Sequence, residues 1–392
     1  MGVACLAISA AGCASDAPGS PRSSGAPTAA ASTPVAVTSP AAPPCTNLGV
    51  IASWSVSRLA AQLVVVPAAE TDVAAVAPSV AAGAGGVILY GSSAPADLGA
   101  QLQALDAQAQ GGLIPVVMSD EEGGGIQRMA NLVGNMPWPA TMSATMTPTA
   151  VYQLAEQTAR AMVANGVTMD LAPVLDLASG PGPDATHIDG PRSFGLSPTS
   201  ATTYGLQFAF GLEAGGVTPV VKHFPGEGTA SANTDDAPAT TAPLASLEKA
   251  DLLPFEAAID TGIPAVMVGN AAVPGLSPGP ASLSYAAVTG LLRQQLGFTG
   301  LVLTDSLSAD AVSDIGLSVP QAAVEAVAAG IDMILYDTAS PNTTFQQTVT
   351  QLVAAVSDGQ ISTATLDAAV IEVLSAKRVD LCAVAGPSPA PG

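Results

Sequence analysis

Basic residues and histidines are scarce in this sequence. Its 392 residues include 10 Lys and Arg against 31 Asp and Glu, which gives a formal net charge of −21 at pH 7. Such a surface repels phosphate backbones and anionic lipid headgroups, so we exclude nucleic-acid binding and polybasic membrane docking. Only two histidines, His187 and His223, are present, which excludes a zinc site built from several histidines. We expect no metal and no cofactor, and any catalysis has to rely on carboxylates.

Charged residues are few, at 10% of the chain, whereas hydrophobic residues make up 48%. This is enough apolar material to bury a sizeable core, so intrinsic disorder of the whole chain is excluded. The length allows two or three ordinary domains, or one large barrel.

The apolar run at the N-terminus is too short to cross a membrane. It covers residues 1–12, whereas a spanning helix needs about 20 residues. It leads into Ala10-Ala11-Gly12-Cys13, which resembles a bacterial lipoprotein cleavage box, although no Lys or Arg precedes the run. We therefore predict that residues 1–13 are a signal segment. Lipidated Cys13 would then anchor an exported, cell-envelope protein to the outer face of the cytoplasmic membrane.

Two segments of low complexity flank the predicted folded part. Residues 14–44 are almost entirely Ala, Ser, Pro, Thr and Gly, a composition that cannot bury enough apolar surface to offset its ordering entropy. We predict a disordered tether there, one folded domain over residues 45–383, and a flexible tail over 384–392. Cys45 and Cys382 lie at the two ends of that domain, and in an exported protein this favours a disulfide between them. Two unrelated buried thiols are the alternative.

Short β-branched runs alternate with helix-patterned segments through the folded part. Their near-continuous hydrophobicity is typical of parallel strands buried on both faces. Helical stripes include Phe345, Val349, Leu352 and Val356, as well as Leu366, Val370 and Leu374 before Lys377. Eight such runs favour a (β/α)₈ TIM barrel, with a doubly wound sheet as the alternative. The runs are 63–67, 86–90, 115–119, 167–171, 219–223, 265–268, 300–304 and 332–336.

Polar residues follow most of these runs, at the barrel end where such folds carry their chemistry. They are Asp120, Glu121, Glu122, Asp176, Lys222, His223, Asn270, Asp305 and Asp337. Lys222 and His223 end an apolar strand and require a partner for their charge, which would be a carboxylate such as Asp120 or Asp176 if their role is structural. Asp305 near cations would stay ionised, as a nucleophile must, or would cap the next helix.

For two further segments, the sequence allows more than one chemical role. Asp120, Glu121 and Glu122 precede three glycines and Arg128, and such a cluster suits either a hard cation or a clamp for sugar hydroxyls. The loop 188–195 presents Arg192, for which a surface ion pair of little energetic value is the alternative.

Taken together, these segments resemble the single-domain β-N-acetylglucosaminidases of glycoside hydrolase family 3. The motifs that carry the resemblance are Gly85-Gly86-Val87-Ile88-Leu89, Asp120-Glu121-Glu122-Gly123-Gly124 with Arg128, Leu171-Ala172-Pro173-Val174-Leu175-Asp176, Gly190-Pro191-Arg192-Ser193-Phe194, Lys222-His223-Phe224-Pro225-Gly226 and Thr304-Asp305-Ser306-Leu307. The resemblance implies a TIM barrel and retaining hydrolysis that releases terminal N-acetylglucosamine (GlcNAc) from peptidoglycan fragments, as in cell-wall recycling. Asp305 would be the nucleophile. The residues implied to hold the sugar are Asp120, Arg128, Arg192, Lys222 and His223.

The loop after Lys222-His223 departs from the family pattern. Relatives carry an Asp-Ser-His group there whose His is the general acid/base, but in this chain Asn233 occupies the Asp position and Asp235 the His position. Asp235 or Asp236 as acid/base would restore the two-carboxylate arrangement of most retaining glycosidases. Glu227 is a second possibility, and the absence of any acid/base is a third.

Three functions follow from these alternatives. The first is a retaining exo-β-N-acetylglucosaminidase that uses Asp305 and Asp235. The second is a noncatalytic or weakly active lipoprotein that binds muropeptides. The third is a family 3 β-glucosidase or β-xylosidase, although those relatives usually carry a second α/β domain for which this sequence leaves no room after the eighth run. Whether water or phosphate accepts the sugar stays open.

Overall fold

The computed structural model describes residues 48–180 and 189–379. The predicted signal segment, tether and tail, together with Cys13, Cys45, Cys382 and His187, lie outside these residues. None of the helices within the described ranges is both long enough and apolar enough to span a bilayer.

Seven of the eight predicted runs form one parallel sheet, in chain order along the sheet. Each strand pairs in parallel with the next. The prediction of an α/β fold with a buried parallel sheet is confirmed. The strands are β1 (Val65–Ala69), β2 (Gly86–Tyr90), β3 (Val116–Ser119), β4 (Met169–Asp170), β5 (Thr218–Phe224), β6 (Ala265–Val268) and β7 (Leu301–Thr304).

The eighth run, residues 332–336, differs from the prediction because it forms isolated bridges rather than a strand. Met333 bridges Leu303 in β7, and Ile334 bridges Val64 beside β1. Side chains take the place of backbone acceptors around these bridges: the Val302 amide donates to Asp332 Oδ2 at 2.7 Å, and the Leu335 amide donates to Thr304 Oγ1 at 3.0 Å. The hydrogen bonds of a regular ladder are therefore interrupted on the β7 side.

Alternate residues of each strand face two different parts of the core, as the two-residue period of a strand requires. Ile88 and Leu303 belong to an interior cluster, whereas their neighbours Val87 and Val302 pack against helices. The interior cluster is Val65, Ile88, Val116, Met118, Met169, Leu171, Val220, Ala265, Met267, Leu301, Leu303, Met333, Leu335 and Val373.

Helices connect the strands, and the sequence marks several of their first turns. The hydroxyls of Ser55, Thr147, Ser197 and Ser362 accept hydrogen bonds from backbone amides of the helices that follow, which satisfies donors left free at a helix start. The predicted helices near the C-terminus are confirmed as Pro341–Ser357 and Thr363–Ala376. The others are Leu48–Ile51, Val56–Gln62, Ala77–Ala81, Leu98–Asp106, Ala130–Val133, Pro139–Thr145, Pro148–Ala164, Pro198–Gly215, Leu244–Leu247, Leu253–Asp260, Asp310–Ser313 and Val319–Ala329, with a π-helix at Ala286–Gln295 and 3₁₀ turns at Val73–Val76, Gln110–Gly112, Gly190–Arg192 and Ala281–Leu283.

Short structures follow the carboxyl ends of the strands and carry the polar residues noted above. Glu121–Gly123 pairs antiparallel with Ile126–Gln127 after β3. Ala272–Val273 pairs antiparallel with Ser277–Pro280 after β6. These hairpins and the loop 225–243 surround the end of the sheet at which Lys222, His223 and Asp305 lie.

Candidate active site

Lys222 lies at the centre of a buried ion-pair network. Its Nζ atom is 2.8 Å from Asp120 Oδ1 and 2.7 Å from Glu122 Oε1, and the Lys222 side chain is only 3% exposed. Burial lowers the pKa of Lys222, but the charges of Asp120 and Glu122 outweigh it and raise that pKa. The ion pair with Asp120 that we weighed as the structural role is therefore present, and it places a cation and a carboxylate side by side.

Glu122 and Arg192 form a bidentate pair. Arg192 Nε and Nη2 lie 2.8 Å from Glu122 Oε2 and Oε1. The Glu122 carboxylate is almost fully buried, and although burial raises its pKa, the cations Arg192 and Lys222 hold it well below its usual range. The pair at Arg192 is thus buried rather than a surface contact. Glu122 was not among the predicted sugar-binding residues, and its only signal was its place in the acidic run.

Arg128 lies at the edge of this network. Its Nη2 atom is 3.4 Å from Asp120 Oδ2, and its guanidinium carbon is 5.8 Å from the centre of the Tyr90 ring. Glu121 fixes the backbone below it, because Glu121 Oε1 accepts the amides of Arg128 and Met129, each at 2.9 Å. Asp120 and Glu122 thus share Lys222, whereas Glu121 is turned to backbone amides. This arrangement fits a clamp for hydroxyls better than a metal ion shared by the three carboxylates.

His223 is held by Asp176. The Nδ1 atom of His223 is 2.6 Å from Asp176 Oδ2, and the other oxygen of Asp176 accepts the Glu227 amide at 2.7 Å. Burial lowers the pKa of His223, but Asp176 outweighs it and raises the pKa to about 9.

Among the described residues, Asp176, Asp189 and His223 offer oxygen and nitrogen atoms within 4.8 Å of one another. Because these atoms lie so close together, the three residues could hold a metal ion. Without a metal, the pKa of about 9 keeps His223 protonated near pH 7, and the imidazolium forms an ion pair with Asp176 that orients the ring.

Asp305 ends β7 with a carboxylate that is only partly buried. Its Oδ1 atom accepts the amide of Ser306 at 2.7 Å, and its backbone amide donates to the carbonyl of Val268 in β6. Asp305 does not cap the next helix, since Ala309 occupies the N-cap of Asp310–Ser313. Asp305 is not among the residues that line the cleft described below, but its charge contributes to raising the pKa values of His223, Asp235 and Tyr90, which places the carboxylate close to them.

Asn270 fixes the segment that follows the nucleophile candidate. Its Nδ2 donates to the carbonyl of Ser306 at 2.8 Å, and its Oδ1 accepts the hydroxyl of Ser282 at 2.6 Å. Asn270 is 1% exposed. Its role is to position the Ser306 backbone rather than to exchange protons.

The loop 225–243 is anchored on two sides. The amide of Thr241 donates to the carbonyl of Ala272. On the other side, the amide of Asp310 donates to the carbonyl of Asp235 at 3.3 Å, and that of Ala311 donates to Thr234 at 3.0 Å. The Asp235 carboxyl is thereby held at the cleft. Desolvation, followed by the charge of Asp305, raises the pKa of Asp235 above its usual range.

The two other acid/base candidates, Asp236 and Glu227, are not among the residues that line the cleft. Asp236 Oδ2 accepts a hydrogen bond from Asn233 Nδ2 at 3.1 Å. Glu227 is 5% exposed, and its Oε1 accepts the amide of Ala271 at 2.7 Å. Burial raises the pKa of Glu227 to about 8, so it is mostly protonated at neutral pH. Of the three, Asp235 is the residue that lines the cleft.

The cleft has a volume of about 520 Å³. Four of the six predicted sugar-binding and acid/base side chains line it, and the other two, Lys222 and His223, are buried. Tyr90, Ser306 and Ser308 carried no functional signal in the sequence, and Asp337 was noted only as a strand-end residue. The lining residues are Tyr90, Asp120, Glu122, Ile126, Arg128, Arg192, Asp235, Ser306, Ser308, Ala309 and Asp337.

The comparisons with known proteins agree with this geometry. The family model "Glycosyl hydrolase family 3 N terminal domain" matches residues 58–376, a range that includes all seven strands. Beta-hexosaminidase LpqI of Mycobacterium tuberculosis is 37% identical over 292 residues, which is 72% of this chain and 71% of that protein.

Solved structures show the same similarity. M. tuberculosis LpqI superposes with a TM-score of 0.76 at 34% identity, covering 84% of this chain and 96% of that chain. A beta-N-acetylhexosaminidase from Beutenbergia cavernae gives a TM-score of 0.76 at 31% identity, covering 84% of this chain and 100% of the other.

Proposed function

The chain belongs to glycosyl hydrolase family 3, and we propose that it is a retaining exo-β-N-acetylglucosaminidase. The relatives named beta-hexosaminidase and beta-N-acetylhexosaminidase support the reaction and the sugar. The observation that carries the proposal within this chain is the carboxylate pair. Asp305 is an oriented, partly exposed carboxylate, and Asp235, which lines the cleft, is a carboxyl whose pKa is raised by desolvation and by the charge of Asp305.

The first half-reaction uses both carboxyls. An Asp305 oxygen attacks the anomeric carbon, and the bond from that carbon to the glycosidic oxygen breaks as Asp235 gives its proton to the leaving oxygen. The product is a covalent glycosyl-enzyme. Its formation requires Asp235 to be protonated, which its raised pKa favours.

The second half-reaction reverses these roles. Asp235, now a carboxylate, removes a proton from water while the water oxygen attacks the anomeric carbon and the bond to Asp305 breaks. Two inversions give net retention of configuration. Asp305 leaves in its original ionised form, and the proton taken by Asp235 restores its starting state.

The ion-pair network supplies the contacts for the sugar. Arg192 donates through Nη1, which Glu122 does not use, and Lys222 donates through the third hydrogen of Nζ, beside those directed at Asp120 and Glu122. Asp120 accepts from hydroxyls. His223 has one nitrogen committed to Asp176, which leaves Nε2 for the substrate. We propose that Asp120, Arg128, Arg192, Lys222 and His223 bind the hydroxyls and the N-acetyl group of terminal GlcNAc.

We extend the proposal to the barrel and to the cellular role. The bridges on both sides of residues 332–336 and the place of Met333 and Leu335 in the interior cluster support a closed (β/α)₈ barrel. The lipoprotein-like start of the sequence supports export and a lipid anchor on Cys13. A terminal GlcNAc on peptidoglycan fragments is then the natural substrate, and a Cys45–Cys382 disulfide would join the ends of the domain.

Turnover of two substrates tests the proposal. We expect hydrolysis of both an aryl β-N-acetylglucosaminide and a GlcNAc-MurNAc disaccharide (MurNAc, N-acetylmuramic acid), with release of GlcNAc. Asp305→Asn should lower kcat/KM on both by at least about a thousandfold, since loss of a covalent nucleophile removes the two-step route. Asp314→Asn, which changes an exposed Asp at the end of the helix Asp310–Ser313, is the matched control. Near-wild-type turnover by Asp305→Asn contradicts the assignment, and tight GlcNAc binding without any turnover favours the binding-only function.

A further inference from the structure

Asp337 lines the cleft, and its carboxylate has no partner among the residues that the structure describes. Its backbone is fixed by Ser308, whose Oγ accepts the Asp337 amide at 3.1 Å and whose hydroxyl donates to the Asp337 carbonyl. The side chain is exposed and lines the cleft. Across residues 48–180 and 189–379, no hydrogen bond or ion pair involves the Asp337 carboxylate. The backbone of Asp337 is therefore fixed, whereas its carboxylate is free to contact a ligand.

The other charged side chains of the cleft are paired with one another. Asp120 is paired with Lys222 and Arg128, and Glu122 is paired with Arg192 and Lys222. Asp235 has to carry a proton when the glycosidic bond breaks, so it is neutral in the substrate complex. Among the described residues that line the cleft, Asp337 is the carboxylate that neither forms an ion pair nor has to carry a proton.

The charge of Asp337 reaches into the cleft. Burial is the main cause of the raised pKa of Tyr90, and the negative charges of Asp120, Asp337 and Asp305 raise it further. Tyr90 ends β2 and lines the same cleft. Asp337 therefore acts on the region between the sugar-binding network and the nucleophile.

Exposure separates the floor of the cleft from its mouth. Glu122 and Lys222 are buried at the floor, where the sugar has to bind, whereas Asp235 and Asp337 are exposed at the mouth. Asp235 must reach the glycosidic oxygen, and the group beyond that oxygen is the aglycone. The aglycone therefore lies at the mouth, next to Asp337.

We infer that Asp337 is a specificity-determining residue, which favours substrates whose aglycone carries a positively charged amine over those whose aglycone carries a free carboxylate. This inference rests on the proposed function. The net charge of −21 acts in the same direction at longer range.

The inference bears on which peptidoglycan fragments the protein prefers as substrates. MurNAc alone carries a lactyl carboxylate, which Asp337 repels. A stem peptide converts this carboxylate into an amide, and one that contains a diamino acid adds an ammonium group, which Asp337 attracts, together with further carboxylates. We therefore expect the preference among fragments to follow the charge that the aglycone places next to Asp337 rather than the net charge of the fragment.

Three matched glycosides test this without the complexity of natural fragments. They are the β-N-acetylglucosaminides of 4-(aminomethyl)phenol, 4-(hydroxymethyl)phenol and 4-(carboxymethyl)phenol. Comparison of Asp337→Asn with the wild type cancels the intrinsic reactivity of each leaving group. The measured quantity is the ratio of kcat/KM for the amine to that for the carboxylate.

We expect Asp337→Asn to reduce this ratio about three- to tenfold at low ionic strength, as loss of an exposed charge pair and of a matching repulsion implies. The reduction should shrink as NaCl is raised to 1 M, where the screening length falls to about 3 Å. The matched control is Asp358→Asn, an exposed Asp at the far end of the helix Pro341–Ser357, which should leave the ratio unchanged.

A ratio that is equal in the wild type and Asp337→Asn overturns the inference while leaving the hydrolase intact. Absence of turnover of all three glycosides contradicts the proposed function instead. In that case, dissociation constants of the same three compounds, measured by calorimetry, decide the role of Asp337. If the wild type and Asp337→Asn then discriminate equally between the amine and the carboxylate, the inference about Asp337 is overturned.

Discussion

The imidazole of His223 and the carboxylate of Asp176 are joined by a 2.6 Å contact between Nδ1 and Oδ2. The same carboxylate accepts the backbone amides of His223 at 3.0 Å and of Glu227 at 2.7 Å. Asp176 therefore orients the His223 ring, sets its charge and holds the first residues of the loop that carries Asp235. A single buried carboxylate therefore links His223, a proposed sugar-binding residue, to the loop that carries the proposed acid/base.

The first prediction concerns the pH dependence of stability. The pKa of His223 is raised from 6.5 to about 9 in the folded protein, so its protonation stabilises the fold. This contribution is fully present below pH 6.5 and is lost as the pH rises through about 9. It is on the order of 3 kcal/mol in the free energy of unfolding.

Asp176→Asn should remove most of this dependence. Urea unfolding of both proteins at pH 6 and pH 10 measures it, and the destabilisation by Asp176→Asn should be larger at pH 6. Comparison of the two proteins at each pH reduces the contribution of other buried acids, such as Glu121, whose pKa is raised to about 7 by burial. An equal destabilisation at both pH values would show that the His223 charge does not stabilise the fold.

The second prediction identifies the acid/base. Asp235→Ala should lower kcat/KM by about a hundredfold or more for GlcNAc-MurNAc, whose leaving group needs a proton, as is usual for loss of general acid catalysis. For a dinitrophenyl glycoside the first step needs no proton, so the loss in kcat/KM should be less than about tenfold. Steady-state kinetics on the two substrates measure the difference.

Neighbouring carboxyls supply the controls for this experiment. Asp236→Ala should affect both substrates little, because Asp236 is hydrogen-bonded to Asn233 and is not among the residues lining the cleft. Glu227→Gln keeps the shape of the side chain that binds the Ala271 amide. If Glu227→Gln rather than Asp235→Ala shows the leaving-group dependence, the proton donor is Glu227.

The third prediction concerns Gly228, at the base of the acid/base loop. A Cβ atom there would lie 1.8 Å from the carbonyl oxygen of Leu177, and a backbone atom cannot move aside cheaply. Gly228→Ala should lower the free energy of unfolding by about 1–3 kcal/mol, as overpacking does elsewhere, and should lower kcat by displacing Asp235. Gly279→Ala is the control, since a Cβ at Gly279 meets no atom within 4 Å. Equal effects of the two substitutions on urea unfolding would show that the contact at Gly228 is not limiting.

Gly228 also shows how a sequence pattern misleads. The small residues of the loop suggest mobility, and the sequence alone offers no other reason for a glycine there. In the structure the glycine is required by the close approach of the Leu177 carbonyl, and the loop is anchored at Ala272 and at Asp310–Ser313. A contact between segments some 50 residues apart has no local signature.

The strands were predictable to within two residues for most of the sheet, because burial on both faces produces continuous apolar runs. The exception is the run 332–336, where Asp332 and Thr304 side chains replace backbone partners. Hydrophobicity reports burial, which this segment shares with the strands. It does not report which atoms complete the hydrogen bonds.

The sequence by itself determined the α/β fold, the candidate nucleophile Asp305 and the cluster of charged residues at the strand ends, because these depend on local hydrophobic patterns and on short motifs. Only the tertiary structure decided which charged residues pair with one another. Lys222 pairs with Asp120 across 102 residues, Arg192 with Glu122 across 70 and His223 with Asp176 across 47. The tertiary structure also buried Glu227 and left Asp235 and Asp337 at the cleft. The physical reason is that charge, exposure and pKa depend on groups brought together in space, which no local pattern of residues encodes.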